Sequence, residues 1–156
     1  MGLEIERKFL VRKDLWYAVN KPDGIELRQS YLVNEPDKVI RIRTAGNSGF
    51  LTIKGPTQDA TRLEYEYPVP ILEALEIFNH FTTKSIGKVR YKIEFVGRIW
   101  EIDEFFGDNE GLIIAEIELK SPDDLFERPS WIGEEVTSDP RYYNSYLIDH
   151  PYNSWK

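Results

Sequence analysis

The charged residues of this 156-residue chain fall into pairs two positions apart. Glu4 and Glu6 are followed by Lys8. Arg41 pairs with Arg43, Lys88 with Arg90, Glu101 with Asp103, and Glu116 with Glu118. Arg62 leads Glu64 and Glu66, and Lys54 follows Thr52. At a spacing of two, side chains share one face of a strand, so like charges so placed repel. An Arg or Lys pair becomes useful where an anion lies between neighbouring strands, because phosphate oxygens satisfy guanidinium and ammonium groups. A carboxylate pair becomes useful where a hard divalent cation is shared. One chemistry uses both, that of a metal-bound polyphosphate.

The residues between the charges are apolar, and the alternation marks strands with two unlike faces. It predicts eight of them, over residues 3–11, 24–33, 38–44, 49–54, 61–69, 87–96, 98–105 and 112–120. Short turns such as Ala45-Gly46-Asn47-Ser48-Gly49 make consecutive strands antiparallel neighbours, and eight of them suggest a closed barrel or a sandwich. Helical spacing is confined to residues 14–20, to 71–81 with a stripe of Ile71, Leu72, Leu75, Phe78 and Phe81 that should pack on the sheet, to a short capped helix at Ser121-Pro122-Asp123-Asp124, and to 141–149 after Asp139-Pro140. The fold class is α+β, mainly antiparallel β. A sandwich would turn the charged face to water. A closed sheet would turn it inward, where it must stay wet or hold balancing ligands, because isolated buried charges are costly.

Composition narrows the function. There is no Cys, which removes thiol chemistry and Cys-ligated metals. A formal charge of −7 argues against general nucleic-acid binding. No apolar run approaches the ~20 residues that span a bilayer, and Met1-Gly2-Leu3-Glu4-Ile5-Glu6-Arg7-Lys8 lacks the apolar centre of a signal peptide. The expectation is a single cytoplasmic domain over residues 1–156 that binds neither nucleic acid nor membrane. Thr52-Ile53-Lys54-Gly55-Pro56 lacks P-loop spacing. His80 and His150 read as surface residues, and Trp16, Trp100, Trp131 and Trp155 as packing.

Glu4-Ile5-Glu6-Arg7-Lys8 matches an ExExK motif. With Arg41-Ile42-Arg43, Thr52-Ile53-Lys54-Gly55, Arg62-Leu63-Glu64-Tyr65-Glu66, Lys88-Val89-Arg90, Glu101-Ile102-Asp103 and Ala115-Glu116-Ile117-Glu118, it resembles the strands of the CYTH domain, or triphosphate tunnel metalloenzyme, family in the family's order. The tail from Trp131 to Asn144 is similar to the ending of short bacterial members. The resemblance spans essentially the whole chain. It implies an eight-stranded closed β-barrel tunnel with a charged lumen and flanking helices, which binds a triphosphate group and Mg²⁺ or Mn²⁺. The short members resemble tripolyphosphatases most. A class IV-type adenylate cyclase, an organic (nucleoside or thiamine) triphosphatase and a non-catalytic polyphosphate-binding module are the alternatives.

On this footing Lys8, Arg41, Arg43, Lys54, Arg62, Lys88 and Arg90 are the candidates for cradling phosphates. Glu4, Glu6, Glu64, Glu66, Asp103, Glu116 and Glu118 are the metal candidates. They are too many for one ion, since Mg²⁺ usually takes one or two carboxylates and keeps waters, so some of them should orient Arg and Lys. Lys8 and Tyr31 are the candidate catalytic groups, and Tyr31 matches a Tyr proposed in the family as a proton acceptor. Its parity groups it with Ile25 and Leu27, an apparently apolar face. The 141–149 helix is a candidate for closing one tunnel end. The physiological triphosphate, the preferred metal and the oligomeric state, a homodimer being one option, are left open by the sequence.

Overall fold

A computed structural model describes residues 2–155 of the chain. Nine strands, β1 (Leu3–Val11), β2 (Ile25–Glu35), β3 (Lys38–Ala45), β4 (Ser48–Lys54), β5 (Thr61–Val69), β6 (Ile86–Phe95), β7 (Arg98–Phe106), β8 (Ile113–Glu118) and β9 (Ile132–Glu135), join α1 (Lys13–Tyr17), α2 (Ile71–Phe81) and α3 (Asn144–Leu147). The pairings are antiparallel and run in the order β5-β4-β3-β2-β6-β7-β8-β1-β9. β1 also pairs with β5, the strand at the far end of that order. Each of β1 to β8 therefore has hydrogen-bonded neighbours on both sides, with the free edge of β1 divided between β5 at Leu3–Ile5 and β9 at Phe9–Val11.

The apolar core lies on the outer face of this sheet. Ile5 and Phe9 of β1, Trp100 and Ile102 of β7, and Ala115 and Ile117 of β8 are buried beneath Trp16 of α1 and beneath Leu119, Trp131 and Ile132 of the segment leading into β9. Phe9, Trp100, Phe126, Trp131 and Trp16 meet edge to face at centroid separations of 5.1–6.2 Å, the favoured geometry for aromatic pairs. A second cluster, of Ile86, Phe105, Leu112, Ile114 and Leu147, continues the charged parity of β6, β7 and β8 past its last charges. Leu147 of α3 caps it, and Tyr142, Tyr152 and Trp155 pack around it.

Several sequence expectations are corrected. β9 is a strand that four residues without alternation did not announce. Ser121–Asp124 forms a turn closed by Asp124 N–H donating to Ser121 O, not a helix. The 141–149 helix is broken into a 3-10 turn at Pro140–Tyr142 and the short α3, because Tyr143 between them is extended (φ −74°, ψ 137°). The Asp139 cap is present and accepts from Arg141 N–H. α1 stops at Tyr17. α2 packs on β3 and β4 through Ala74 rather than through its whole stripe, leaving Leu72, Leu75 and Phe81 exposed.

The α2 contact depends on one glycine. A Cβ on Gly49 of β4 would lie 2.5 Å from Ala74 Cβ and 3.0 Å from Val69 O, so the helix can approach only because that side chain is missing. At Gly55 the closest atom to an added Cβ is Leu63 Cβ at 3.6 Å, an ordinary contact. Gly49→Ala is therefore expected to destabilise the protein by about 1–3 kcal/mol, and Gly55→Ala to lie within about 0.5 kcal/mol of the parent. Urea unfolding of the two variants checks this, and equal midpoints would contradict it.

Candidate active site

The strands bring the charged side chains into one cavity of about 900 Å³. Glu4, Glu6, Lys8, Arg41, Arg43, Lys54, Arg62, Glu64, Glu66, Lys88, Arg90, Glu116 and Glu118 all line it, as period-two alternation requires. Tyr31 lines it too. The face of β2 that read as apolar, with Ile25 and Leu27, is thus its cavity face. A register shift between Tyr31 and Val33 then changes the pairing with β3. Asp103 is the exception among the predicted residues. It is 1% exposed and absent from the cavity lining.

Asp103 sits behind the cavity wall as the counter-ion of two cations. Its Oδ1 accepts from Arg90 Nε at 2.7 Å, and its Oδ2 accepts from Arg90 Nη2 at 2.9 Å and faces Lys88 Nζ at 2.7 Å. Both oxygens are engaged and Asp103 does not line the cavity, so in this arrangement it orients the two cations. Burial alone would raise its pKa, but Arg90 and Lys88 hold it well below the usual carboxylate range. Arg90 reaches Glu116 at 3.4 Å and Glu101 at 3.2 Å, and Lys8 reaches Glu116 at 3.2 Å. Burial lowers Lys88 to about 7 despite Asp103, with Arg90 and Arg43 acting in the same direction. Lys8 is also buried, yet Glu116 and Glu6 more than offset the burial and its pKa is raised.

Three cations on other strands have no such partner. Among the described residues, no carboxylate lies within ion-pair distance of Arg41, Arg43 or Arg62. Arg41 donates to Thr52 Oγ1 at 3.1 Å, and its Nε is buried without any acceptor. Arg43 donates to Gln29 Oε1 at 3.2 Å, and Gln29 Nε2 donates in turn to Tyr31 Oη at 2.9 Å. Arg62 donates to Gly55 O. Burial, then Arg41 and Arg90, lower Arg43 to about 9. A buried guanidinium donor without an acceptor is costly, and a phosphate oxygen supplies what is missing.

The opposite imbalance occupies β1 and β5. Glu4 is pushed up to about 7, first by burial and then by a hydrogen bond with Glu64. Glu64 is lowered despite its burial, because it accepts from Glu4 and faces Lys54. Burial and the contact with Glu64 thus favour the protonated form of Glu4. Lys54 lies 3.7 Å from Glu4 and 3.8 Å from Glu64. Burial, with Glu116 and Glu4, raises Glu6 well above its ordinary value, and Glu118 is raised by burial and Glu4. Among the described residues, no three acidic or histidine side chains converge on one point closely enough to hold an ion by themselves.

Residues 2–144 match the family model described as the CYTH domain. The chain belongs to the CYTH domain family. An inorganic triphosphatase of Acetivibrio thermocellus is 48% identical over all of this CYTH chain and 99% of its own length. One from Nitrosomonas europaea is 35% identical over 92% of this chain and 95% of its own. The crystal structure of the inorganic triphosphatase NE1496 aligns with a TM-score of 0.64 at 33% identity, covering 92% of this chain and 96% of that one. A conserved hypothetical protein of Pyrococcus furiosus, at 22% identity and a TM-score of 0.59 over 78% of this chain, shares the fold.

Sequence reasoning missed Gln29, which links Tyr31 to Arg43, and the C-terminal lining residues Thr137, Tyr143, Asn144 and Ser145. The parity of β2 would have revealed Gln29 once Tyr31 was placed inward. His80 and His150 are exposed, as anticipated, and Trp16, Trp100 and Trp131 are buried in the core.

The raised pKa of Glu4 sets a pH dependence. Unfolded, Glu4 loses its proton near 4.5, and folded, near 7. Between these values the folded state binds more protons, so metal-free stability falls as pH rises through the window. Glu4→Gln keeps the protonated form's hydrogen-bonding capacity at every pH. In chelator it is expected to melt about 3–6 °C above the parent at pH 8 and level with it at pH 5, corresponding to on the order of 1–2 kcal/mol. Circular dichroism melts at the two pH values decide it, and equal melting at pH 8 would count against the raised pKa of Glu4.

Proposed function

We propose that residues 1–156 form one triphosphate tunnel domain, an eight-stranded closed β-barrel that hydrolyses inorganic triphosphate to pyrophosphate and phosphate in its lumen. The observation that carries the reading is the set of three buried or half-buried arginines, Arg41, Arg43 and Arg62, which among the described residues have no acid partner, in a cavity that Glu4 and Glu64 also line. A polyanion answers the first and a divalent cation the second. Full-length likeness to two inorganic triphosphatases supports the same substrate. The domain is taken to act in the cytoplasm on a small molecule.

The donor set fits Mg²⁺ or Mn²⁺. All its groups are carboxylate oxygens, and an ion that keeps most of its waters needs only one or two of them. One or two of Glu4, Glu6, Glu64, Glu66, Glu116 and Glu118 would hold it. When bound, such an ion neutralises phosphate oxygens and acidifies coordinated water.

The chain's own residues do the positioning on which phosphoryl transfer chiefly depends. Arg41, Arg43 and Arg62 bind phosphate oxygens from β3 and β5. Lys8, Lys54, Lys88 and Arg90 complete the cradle, with Asp103 and Glu116 keeping Lys88, Arg90 and Lys8 extended. Water attacks the terminal phosphorus, the bond to the bridging oxygen breaks, and the attacking water gives up a proton. Tyr31 Oη accepts from Gln29 Nε2, which leaves its own proton unengaged by that contact and makes this oxygen the candidate proton relay.

An organic triphosphate is the second reading, because Ile25, Leu27, Val39 and Phe50 form an apolar sector of the same wall that phosphate does not need. The test is phosphate release from tripolyphosphate, pyrophosphate, ATP and thiamine triphosphate, each with Mg²⁺, Mn²⁺ or chelator, with ATP products checked for cyclic AMP. The expected result is metal-dependent cleavage of tripolyphosphate far above ATP, and a loss of about 100-fold or more in kcat/KM in Arg41→Ala and Arg43→Ala. Preference for ATP or thiamine triphosphate, or formation of cyclic AMP, would move the function to the organic reading. Binding without turnover would make the chain a polyphosphate-binding module.

A further inference from the structure

The two lysines at the inner limit of the charged face, Lys8 and Lys88, are held from an unexpected side. The segment Tyr142–Asn144 joins the end of the 3-10 turn to the start of α3, outside the sheet's hydrogen-bond ladder. Tyr142 O accepts from Lys8 Nζ at 3.4 Å, and the Tyr143 ring centroid lies 5.4 Å from the same ammonium. Asn144 Oδ1 accepts from Lys88 Nζ at 3.0 Å. A lysine has only donors, so the atom of Asn144 that faces it is the carbonyl oxygen. Asn144 itself lines the cavity.

This strap is anchored on three sides. Leu147 is fully buried against Ile86, Phe105, Leu112 and Ile114. Asn34 Nδ2 of β2 donates to Ser145 O at 2.8 Å, and Lys84 pairs with Asp149 at 2.8 Å. Lys88 is 1% exposed and has two fixed acceptors, Asp103 Oδ2 at 2.7 Å and Asn144 Oδ1. With Asp103 alone, the ammonium could turn about a single contact. With two, the direction of its remaining N–H is set.

We propose that Asn144 is a positioning residue, which acts through Lys88 by fixing the ammonium that meets the triphosphate, so that the C-terminal strap is part of the reaction site rather than a cover for it. A neutral amide suits the task. It accepts from Lys88 without presenting a second negative charge to the anion, as an aspartate there would. The inference rests on the triphosphatase reading.

The test is a double-mutant cycle with Asn144→Leu and Lys88→Met, read as kcat and KM for tripolyphosphate with Mg²⁺. Tyr146→Phe, on the same short helix, serves as a control. Asn144→Leu is expected to lower kcat/KM about 10- to 100-fold, the range for losing a hydrogen bond to a charged group, with its melting temperature within a few degrees of the parent. In the Lys88→Met background the same substitution is expected to cost less than about twofold, because a residue acting through another has nothing left to act on. Tyr146→Phe is expected to match the parent. Equal losses in both backgrounds would assign Asn144 a role independent of Lys88 and overturn the proposal, as would no loss in the parent background. If the parent binds tripolyphosphate without turning it over, the hydrolase reading fails. The same cycle is then read by calorimetric tripolyphosphate binding in chelator, where the coupling decides the role of Asn144 separately. A chain that neither binds nor cleaves tripolyphosphate overturns both.

Discussion

The buried ion pair of Asp103 with Lys88 and Arg90 is the constraint on which the cavity depends. Three charged groups from two adjacent strands meet at the wall, Lys88 and Arg90 lining it and Asp103 behind it, with Asp103 and Lys88 each 1% exposed. Removing one member of such a cluster leaves an uncompensated buried charge, which is far costlier than never building it. The cluster therefore locks the register of β6 against β7 at Arg90↔Asp103 and aims both cations. Glu116 extends the same logic to Lys8 across β8 and β1. Towards β3 and β5 the pairing thins to Lys54 with Glu4 and Glu64. Arg41, Arg43 and Arg62 are held by neutral oxygens from Thr52, Gln29 and Gly55. One half of the wall is internally balanced, and the other carries three arginines that have no acid partner among the described residues.

A sheet whose inward face is ionic must find its apolar burial outside. This chain does so unevenly. The β1–β7–β8 side is roofed by Trp16, Trp131 and Phe126, while the outer face of β4 and β5 leaves Ile53, Leu63, Tyr65 and Tyr67 exposed. α2 roofs β3 and β4 through a small contact, Ala74 over Gly49. Most of the outer packing thus sits behind the balanced half of the charged wall, where Lys88 and Asp103 are buried.

Much of this was legible in the sequence. Period two in Glu4-Ile5-Glu6 or Lys88-Val89-Arg90 is a local property of strands, so strand positions and the shared charged face followed directly. β1, β5 and α2 begin and end where alternation or helical spacing predicts. What the sequence hides is partner choice. Nothing local separates Asp103 from Glu116 or Glu4, yet the register across β6 and β7 makes Asp103 a sealed counter-ion, while Glu4 is raised by its burial beside Glu64. β2 misled for a related reason. Ile25 and Leu27 are apolar but face the cavity, so composition disagreed with parity, and parity was right. At the C-terminus, helical signals at Asp139-Pro140 were real but short-lived, because Tyr143 is extended beside Lys8.

The stitching of the wall is uneven as well. β2 and β3 are joined along eight residue pairs and β3 and β4 along seven, but β1 meets β5 along only three. Local opening is cheapest where the fewest backbone bonds must break, so the wall should breathe along that seam. Glu4 lies on it, opposite Arg62, whereas Arg41 and Arg43 stand on the firmly laced side. Compliance is then concentrated at Glu4 and Arg62, which face each other across the seam, while Arg41 and Arg43 stay put.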